Sequence, residues 1–269
     1  MGSQQKDNGA KYALILGSSS GFGAAAGIRL AGEGYHIFGV HLDRRATMPL
    51  VEETIAKIKS AGGEATFYNA NAADDEKRKE IVADIRQRLP QGQYVKILMH
   101  SLAFGTLKPF IDSSPEDSLT KANITMTLDV MAHSLIYWTQ ELYWQNLLGH
   151  GSRIFAMTSH GSTSVVPHYG AVSAAKAALE AHIRQLAMEL GKAGVTANAL
   201  KAGVTETPAL KKIPGNQRMI DTALYRNPGK RLTTPEDVAD AIVALSSMNA
   251  QWINGDVIAV DNAENVMDG

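Results

Sequence analysis

Two side chains able to give a proton and to hold a hydroxyl stand seven residues apart in the segment Tyr169-Gly-Ala-Val-Ser-Ala-Ala-Lys176. Seven residues of helix make nearly two turns, so the phenol and the amine fall on one face, roughly 10 Å apart along the axis. A phenol beside an ammonium can act as an acid. Upstream, Gly17-Ser-Ser-Ser-Gly21-Phe-Gly23 has the form of a phosphate-binding loop. Glycines there permit a tight turn after a strand. They also let backbone N–H groups reach a pyrophosphate at the start of a helix. The loop implies a dinucleotide, and the pair implies a proton donor beside an anchor for a ribose.

The elements that must position these groups alternate. Short apolar runs predict strands at Tyr12–Leu16, Tyr35–Leu42, Ala65–Asn69, Val95–Ser101, Arg153–Thr158, Val195–Leu200 and Asp256–Val260. Amphipathic stretches between them predict helices over Gly21–Gly32, Pro49–Ala61, Asp74–Leu89, Leu119–Leu148, Pro167–Gly191 and Pro235–Ser247. Such alternation implies an α/β fold, a single-domain Rossmann-like doubly wound parallel sheet of about seven strands with helices on both faces. Ligands then bind at the carboxyl ends of the strands, where the strand order reverses. The expected layout is a disordered tail over 1–10 and one reductase domain over 11–269. Within that domain Thr205–Arg231, with Pro208, Pro214 and Pro228, reads as an irregular lid over the substrate.

Bulk properties exclude several function classes. The chain has 269 residues, a net charge of −1 and no cysteine. A balanced charge gives no case for nucleic acid or an anionic membrane. Without cysteine there is no thiolate nucleophile, disulfide or cysteine-ligated metal. No His/Asp/Glu set has metal-ligand spacing, and no apolar run reaches membrane-spanning length. The opening MGSQQKDNGAK lacks the apolar stretch of a secretion signal, so the expected location is cytoplasmic.

Over nearly its whole length the chain resembles the short-chain dehydrogenase/reductases. The resemblance rests on Gly17-x3-Gly21-x-Gly23, the strand end Met99-His-Ser-Leu-Ala103, Thr158-Ser159, Tyr169 with Lys176, and Asn198-Ala-Leu-Lys-Ala-Gly203-Val-Thr-Glu-Thr207. Three departures resemble one branch, the divergent enoyl-acyl-carrier-protein reductases. Common members carry Asn-Asn-Ala-Gly where this chain has His100-Ser101-Leu102-Ala103. They place the tyrosine at Val172, and a relay asparagine at Met131. The branch carries a Tyr-x6-Lys pair instead. Its displaced tyrosine suits an enoyl thioester. Hydride goes to C3, while charge develops on an oxygen further along the conjugated chain, so the donor must sit further out.

The resemblance implies roles residue by residue. Tyr169 is the proton donor, and Lys176 holds the nicotinamide ribose and assists Tyr169. Ser159 occupies the active-site serine position, where it either bonds the substrate carbonyl or caps a strand end. Gly17, Ser19, Ser20, Gly21, Phe22 and Gly23 cradle the pyrophosphate. Asn71 matches the residue that reads adenine. Ser101, Leu102 and Ala103 pass beside the cofactor with His100, Gly203 and Val204 pass the nicotinamide amide, and Thr207 lies near that amide or the pyrophosphate. At the end of the second strand, His41 and Asp43 compete with Arg44 and Arg45. An acid there binds a ribose 2′-hydroxyl and repels a 2′-phosphate, whereas the arginines clamp the phosphate. The arginines favour NADPH over NADH.

The implied function is therefore NAD(P)H-dependent reduction of an enoyl thioester of fatty acid synthesis type, on an acyl carrier protein or coenzyme A. A short-chain carbonyl or alcohol oxidoreductase is the alternative, and a non-catalytic nucleotide sensor the third reading. The resemblance also implies a homotetramer. Its expected interface is the long helix with Tyr137, Trp138, Glu141, Tyr143 and Trp144, together with the alanine-rich helix after Tyr169.

Overall fold

The computed structural model describes residues 10–267, so nearly all of the tail expected at 1–10 lies outside the described residues. Seven parallel strands form one sheet in the order β3-β2-β1-β4-β5-β6-β7. They are β1 (Lys11–Leu16), β2 (Tyr35–His41), β3 (Ala65–Asn69), β4 (Val95–His100), β5 (Arg153–Thr158), β6 (Thr196–Ala202) and β7 (Val257–Val260). The order reverses between β1 and β4, which is where a crevice opens in such sheets.

Period-two alternation sends successive side chains of β1 to opposite faces. Leu14 and Leu16 pack into a core with α3 (Asp75–Arg88), α5 (Ser134–Trp144) and α6 (Gly170–Leu190). Ala13 and Ile15 enter the other core, with α1 (Gly21–Gly32), α2 (Met48–Ser60) and α8 (Pro235–Leu245). Both faces are covered, as the buried character of all-parallel strands requires. Among the described residues no helix is long and apolar enough to cross a membrane.

Two expectations about the elements need correction. The helix expected over Leu119–Leu148 begins at a Thr120–Asn123 capping box and runs through α4 (Lys121–Leu128). It passes a π-helical turn at Asp129–His133, then α5, and stops at Trp144. Leu147 and Leu148 are buried without being helical, because the chain turns at Asn146 (φ +55°) and Leu147 O accepts from Val95 N–H. The segment 205–231 is not irregular throughout. It holds an amphipathic helix, α7 (Asn216–Arg226), that starts after Gly215 (φ +75°) and ends before Pro228. Its prolines flank the helix instead of interrupting it. The longer irregular stretch is 101–120. It is tied by Lys108 Nζ donating to Glu116 O (2.8 Å) and Asp112 N–H to Ser118 Oγ (2.9 Å).

The aromatic residues expected at an interface also divide. Trp138 is fully buried and its indole N–H donates to Ala72 O (2.8 Å), so it is core. Tyr143 and Trp144 stay exposed at 45% and 66%.

Candidate active site

A cavity of about 1100 Å³ opens over the carboxyl ends of the strands, between the loops after β1, β2, β4, β5 and β6. Its wall includes Gly17, Ser19, Ser20, Phe22, His41, Asp43, Asn71, Ser101, Leu102, Ala103, Ser159, Tyr169, Lys176, Gly203, Val204 and Thr207. Of the residues expected at the site, Gly21, Gly23, Arg44, Arg45 and His100 do not line it.

The phosphate loop is built from backbone. Gly17 adopts φ +88°, and a β-carbon there would run into the carbonyl of Ser101. Gly17 N–H and Ser18 N–H both donate to Val40 O, at 2.8 and 3.2 Å, which ties the loop to β2. Ser20 is the N-cap of α1 but makes no side-chain cap bond. The first amides of α1 are therefore uncapped at the cavity wall, a set of donors that fits a pyrophosphate. Gly23 packs against Gly17 beneath the loop, and Gly21 lies 3.6 Å from the Thr207 methyl, measured from an added β-carbon. Both are structural parts of the turn.

At the end of β2 the acid lies inward. Asp43 Oδ2 is 3.0 Å from His41 Nδ1, and Asp43 N–H donates to Asn69 Oδ1 (3.1 Å). Burial alone raises the Asp43 carboxyl. Thr47, Ser19 and His41 together outweigh it and hold the group below its ordinary value, so an anion sits there at neutral pH. Arg44 and Arg45, expected as a phosphate clamp, are exposed and outside the cavity wall. Both lie in the loop after β2, where contacts with His41 and Asn69 turn Asp43 inward and leave the arginines in solvent. Asn71 is a turn residue. Its Oδ1 accepts from Ala73 N–H at 3.0 Å, which fixes the amide with its nitrogen still unpaired among the described residues.

The proton-handling end sits on α6. Tyr169 is the N-cap, so the helix starts at Gly170 and not at Pro167; His168 just before it has φ +60°. Burial pushes the phenol up, opposed by the nearby Ser159 hydroxyl. The Ser159 Oγ is buried and has no hydrogen-bond partner of good geometry among the described residues. Lys176 is buried, and its Nζ donates to Met157 O (2.6 Å) instead of to the phenol. Burial lowers the ammonium to about 8, against an opposing pull from Glu180. Val172, one turn from Lys176, is buried against Gly105 and cannot carry a proton. Met131 lines the cavity from the π-helical turn.

The histidines take different roles. His100 is fully buried outside the cavity. Ser134 Oγ donates to Val130 O (2.7 Å), so His100 Nε2–H must donate to Ser134 Oγ (2.9 Å). Burial, reinforced by Lys176, takes its pKa down to about 3. His100 is a neutral core histidine whose side chain does not reach the cavity. His160 lines the cavity, with Nε2 2.6 Å from Ser164 Oγ. Burial holds it below its ordinary value, with Lys201 and Arg226 acting the same way. His168 is exposed at the rim.

Sequence reading missed Glu264, Arg218 and Arg226, which also line the cavity. The two arginines lie eight apart on one face of α7, a spacing that becomes visible only once 216–226 is known to be helical. Glu264 follows the last strand in a polar turn and carries no sequence signal. Among the described residues no group of three or more His, Cys, Asp or Glu could hold a metal.

A family model described as Enoyl-(Acyl carrier protein) reductase matches residues 17–262. The chain is 30% identical to an enoyl-acyl-carrier-protein reductase (NADH) of Aquifex aeolicus, over 96% of this chain and 92% of that protein. It is 27% identical to a probable tetrahydroxynaphthalene reductase of Zymoseptoria tritici, over 94% of each. The crystal structure of enoyl-acyl-carrier-protein reductase (NADH) from Aquifex aeolicus VF5 superposes with a TM-score of 0.81 at 27% identity. That match covers 96% of this chain and 98% of the other.

Proposed function

The chain belongs to the enoyl-(acyl carrier protein) reductase family of the short-chain dehydrogenase/reductases, and on that premise we propose that it reduces the 2,3 double bond of an enoyl thioester with NADH. The observation that carries this reading is the pairing of Tyr169 with Lys176 in one cavity, with Val172 filling the nearer position. When bound, the reduced nicotinamide supplies hydride to C3 of the enoyl group. Tyr169 is the phenol in the cavity wall, and burial keeps its proton on until negative charge develops on the thioester oxygen. Lys176 holds ribose hydroxyls with its ammonium. Phe104, Val166, Leu210, Ile213 and Met219 offer an apolar wall for an acyl chain. The cavity face of α7 supports the reading of 205–231 as a lid that shields the transfer from water.

NADH replaces the NADPH favoured by sequence. Asp43 supplies an anion at the cavity wall, which suits a ribose 2′-hydroxyl and repels a 2′-phosphate. The relative from Aquifex aeolicus named for NADH supports the same preference. Carbonyl reduction is the second reading, favoured by the unpartnered Ser159 hydroxyl beside Tyr169 and by the tetrahydroxynaphthalene reductase relative. A cytoplasmic homotetramer is proposed from the family resemblance and the exposed Tyr143 and Trp144; light scattering tests the assembly.

Loss of NADH absorbance with crotonyl-CoA, crotonyl-acyl-carrier protein and a panel of small ketones separates the two chemistries. Turnover of either thioester well above every ketone is expected. Turnover of ketones alone would transfer the assignment to carbonyl reduction.

A further inference from the structure

Two carboxylates line the cavity, Asp43 at the end of β2 and Glu264 in the turn after β7. They differ in how they are satisfied. Asp43 is held by several donors. Glu264 is only 4% exposed, and just one of its oxygens is bonded. Its Oε1 accepts from Val204 N–H at 3.0 Å. Its Oε2 has no hydrogen-bond partner of good geometry among the described residues, since the nearby Asn227 amide donates to Asp261 O at 3.2 Å instead. A β-carbon on Gly203 would lie 2.7 Å from Oε2, so the free oxygen sits directly against the Gly203–Val204 turn.

A buried carboxylate oxygen without a donor is expensive. The proton affinity follows: burial, helped by Asp261, holds the Glu264 carboxyl above its ordinary value, against the pull of Val204 N–H, the nearby Asn227 amide and Arg226. A group in this state is completed by a ligand that brings an N–H or O–H. The turn it adjoins shares the cavity wall with Tyr169 and Lys176. A nicotinamide presenting C4 beside Tyr169 carries its carboxamide on the neighbouring ring carbon. That carboxamide offers an –NH2 group, the complement of a lone carboxylate oxygen.

We propose that Glu264 is a cofactor-positioning residue whose free Oε2 accepts the –NH2 of the nicotinamide carboxamide while Oε1 holds the Val204 amide in place. The proposal rests on reading this cavity as a nicotinamide dinucleotide site. It gives Glu264 a role in fixing the rotation of the ring, and so which face is presented to the substrate. It also accounts for a buried acid at a position where a hydrophobic residue would otherwise be cheaper.

The test compares ligands that differ in one group. NADH carries the carboxamide. In its reduced 3-acetylpyridine analogue a methyl replaces the –NH2, so the donor is gone. ADP-ribose lacks the ring altogether. Binding of each to the full-length protein is measured by calorimetry. The wild type should bind NADH about tenfold more tightly than the acetylpyridine analogue, the scale of one hydrogen bond to a charged group. In Glu264→Ala that ratio should fall to about one, with ADP-ribose affinity kept. Glu264→Gln keeps an oxygen for Val204 N–H but turns an –NH2 toward the carboxamide. It should also lose the discrimination, which covers the case in which the alanine variant does not fold. A ratio unchanged in both variants overturns the proposal. Tighter NADH binding by Glu264→Ala overturns it too, since the carboxylate would then be a plug on the turn. Failure of the wild type to bind either ADP-ribose or NADH overturns the dinucleotide reading itself, and is distinguishable because it appears before any substitution.

Discussion

The end of the cavity built on β1–β3 and the end built on β5–β7 satisfy their polar groups differently. At the first end, Ser18 Oγ donates to Val40 O, Asp43 is held by its neighbours, and Asn69 bridges the Asp43 backbone with both its amide atoms. At the second end, Ser159 Oγ, His160 Nδ1, Arg226 Nε and Glu264 Oε2 are all buried without a partner, and all four residues line the cavity. Native interiors pair nearly every such group, so a cluster of exceptions needs a cause. The end built on β1–β3 pairs its buried side chains within the protein and leaves chiefly backbone amides of α1 open. The end that carries Tyr169 and Lys176 leaves donors and acceptors for ligands to complete. On the proposed dinucleotide reading, backbone and the loop after the second strand recognise the adenosine half, and individual side chains the reacting half.

Substitutions at the two ends should therefore fail in different ways. The largest effect is expected at Lys176. Lys176→Ala should lower kcat/KM for an enoyl thioester by about 100-fold or more, because the proposed mechanism asks its charge to serve both the ribose and Tyr169. Cofactor affinity should fall with it. Retained affinity and rate would remove Lys176 from the site.

The same ammonium sets a pH window. Its pKa lies near 8 in the folded protein and at 10.5 without the fold. NADH binding should weaken by about tenfold as pH rises through 8 and the charge is lost. Stability should move the other way. The unfolded chain keeps the proton over a range in which the folded chain has shed it, so this residue's contribution rises with pH between the two values. Lys176→Met should flatten both trends; affinity that holds steady through pH 9 in the wild type would count against an ammonium–ribose contact.

At the finished end, Asp43→Ala should weaken NADH by about tenfold and spare or improve NADPH, since it removes an acceptor and a repulsion together. Equal losses on both cofactors would mean the acid does not face the 2′ position. Ser159→Ala is expected to have the smallest effect, below about tenfold in kcat, the range of one neutral hydrogen bond. A loss as large as that of Lys176→Ala would make the serine the proton donor and blur the contrast between the ends.

The finished end was also the more legible one. Gly17-x3-Gly21-x-Gly23 locates a strand, a turn and a helix at once, because glycine spacing encodes backbone shape. All seven strands announce themselves as apolar runs between polar helices. What the sequence hides depends on side-chain direction or on tertiary contact. Asp43 and Arg44 are neighbours, and only the folded loop after β2 shows which faces inward. Leu147 and Leu148 extend a helical apolar pattern but are buried by the turn that docks on Val95. The π-helical turn that presents Met131 has no residue signature. Helix α7 was obscured by prolines that mark its surroundings and not its interior. Glu264 becomes visible only when the turn after β7 is seen against Gly203.

The central claim is that the phenol of Tyr169 protonates an enoyl thioester during reduction. The direct test is Tyr169→Phe, with NADH binding and crotonyl thioester turnover measured on the same preparation. Cofactor affinity should remain at the wild-type level while kcat falls by about 100-fold or more, the scale of losing one transition-state donor. Near-normal turnover in that variant would contradict the account, and would assign the proton to Ser159, a histidine or water.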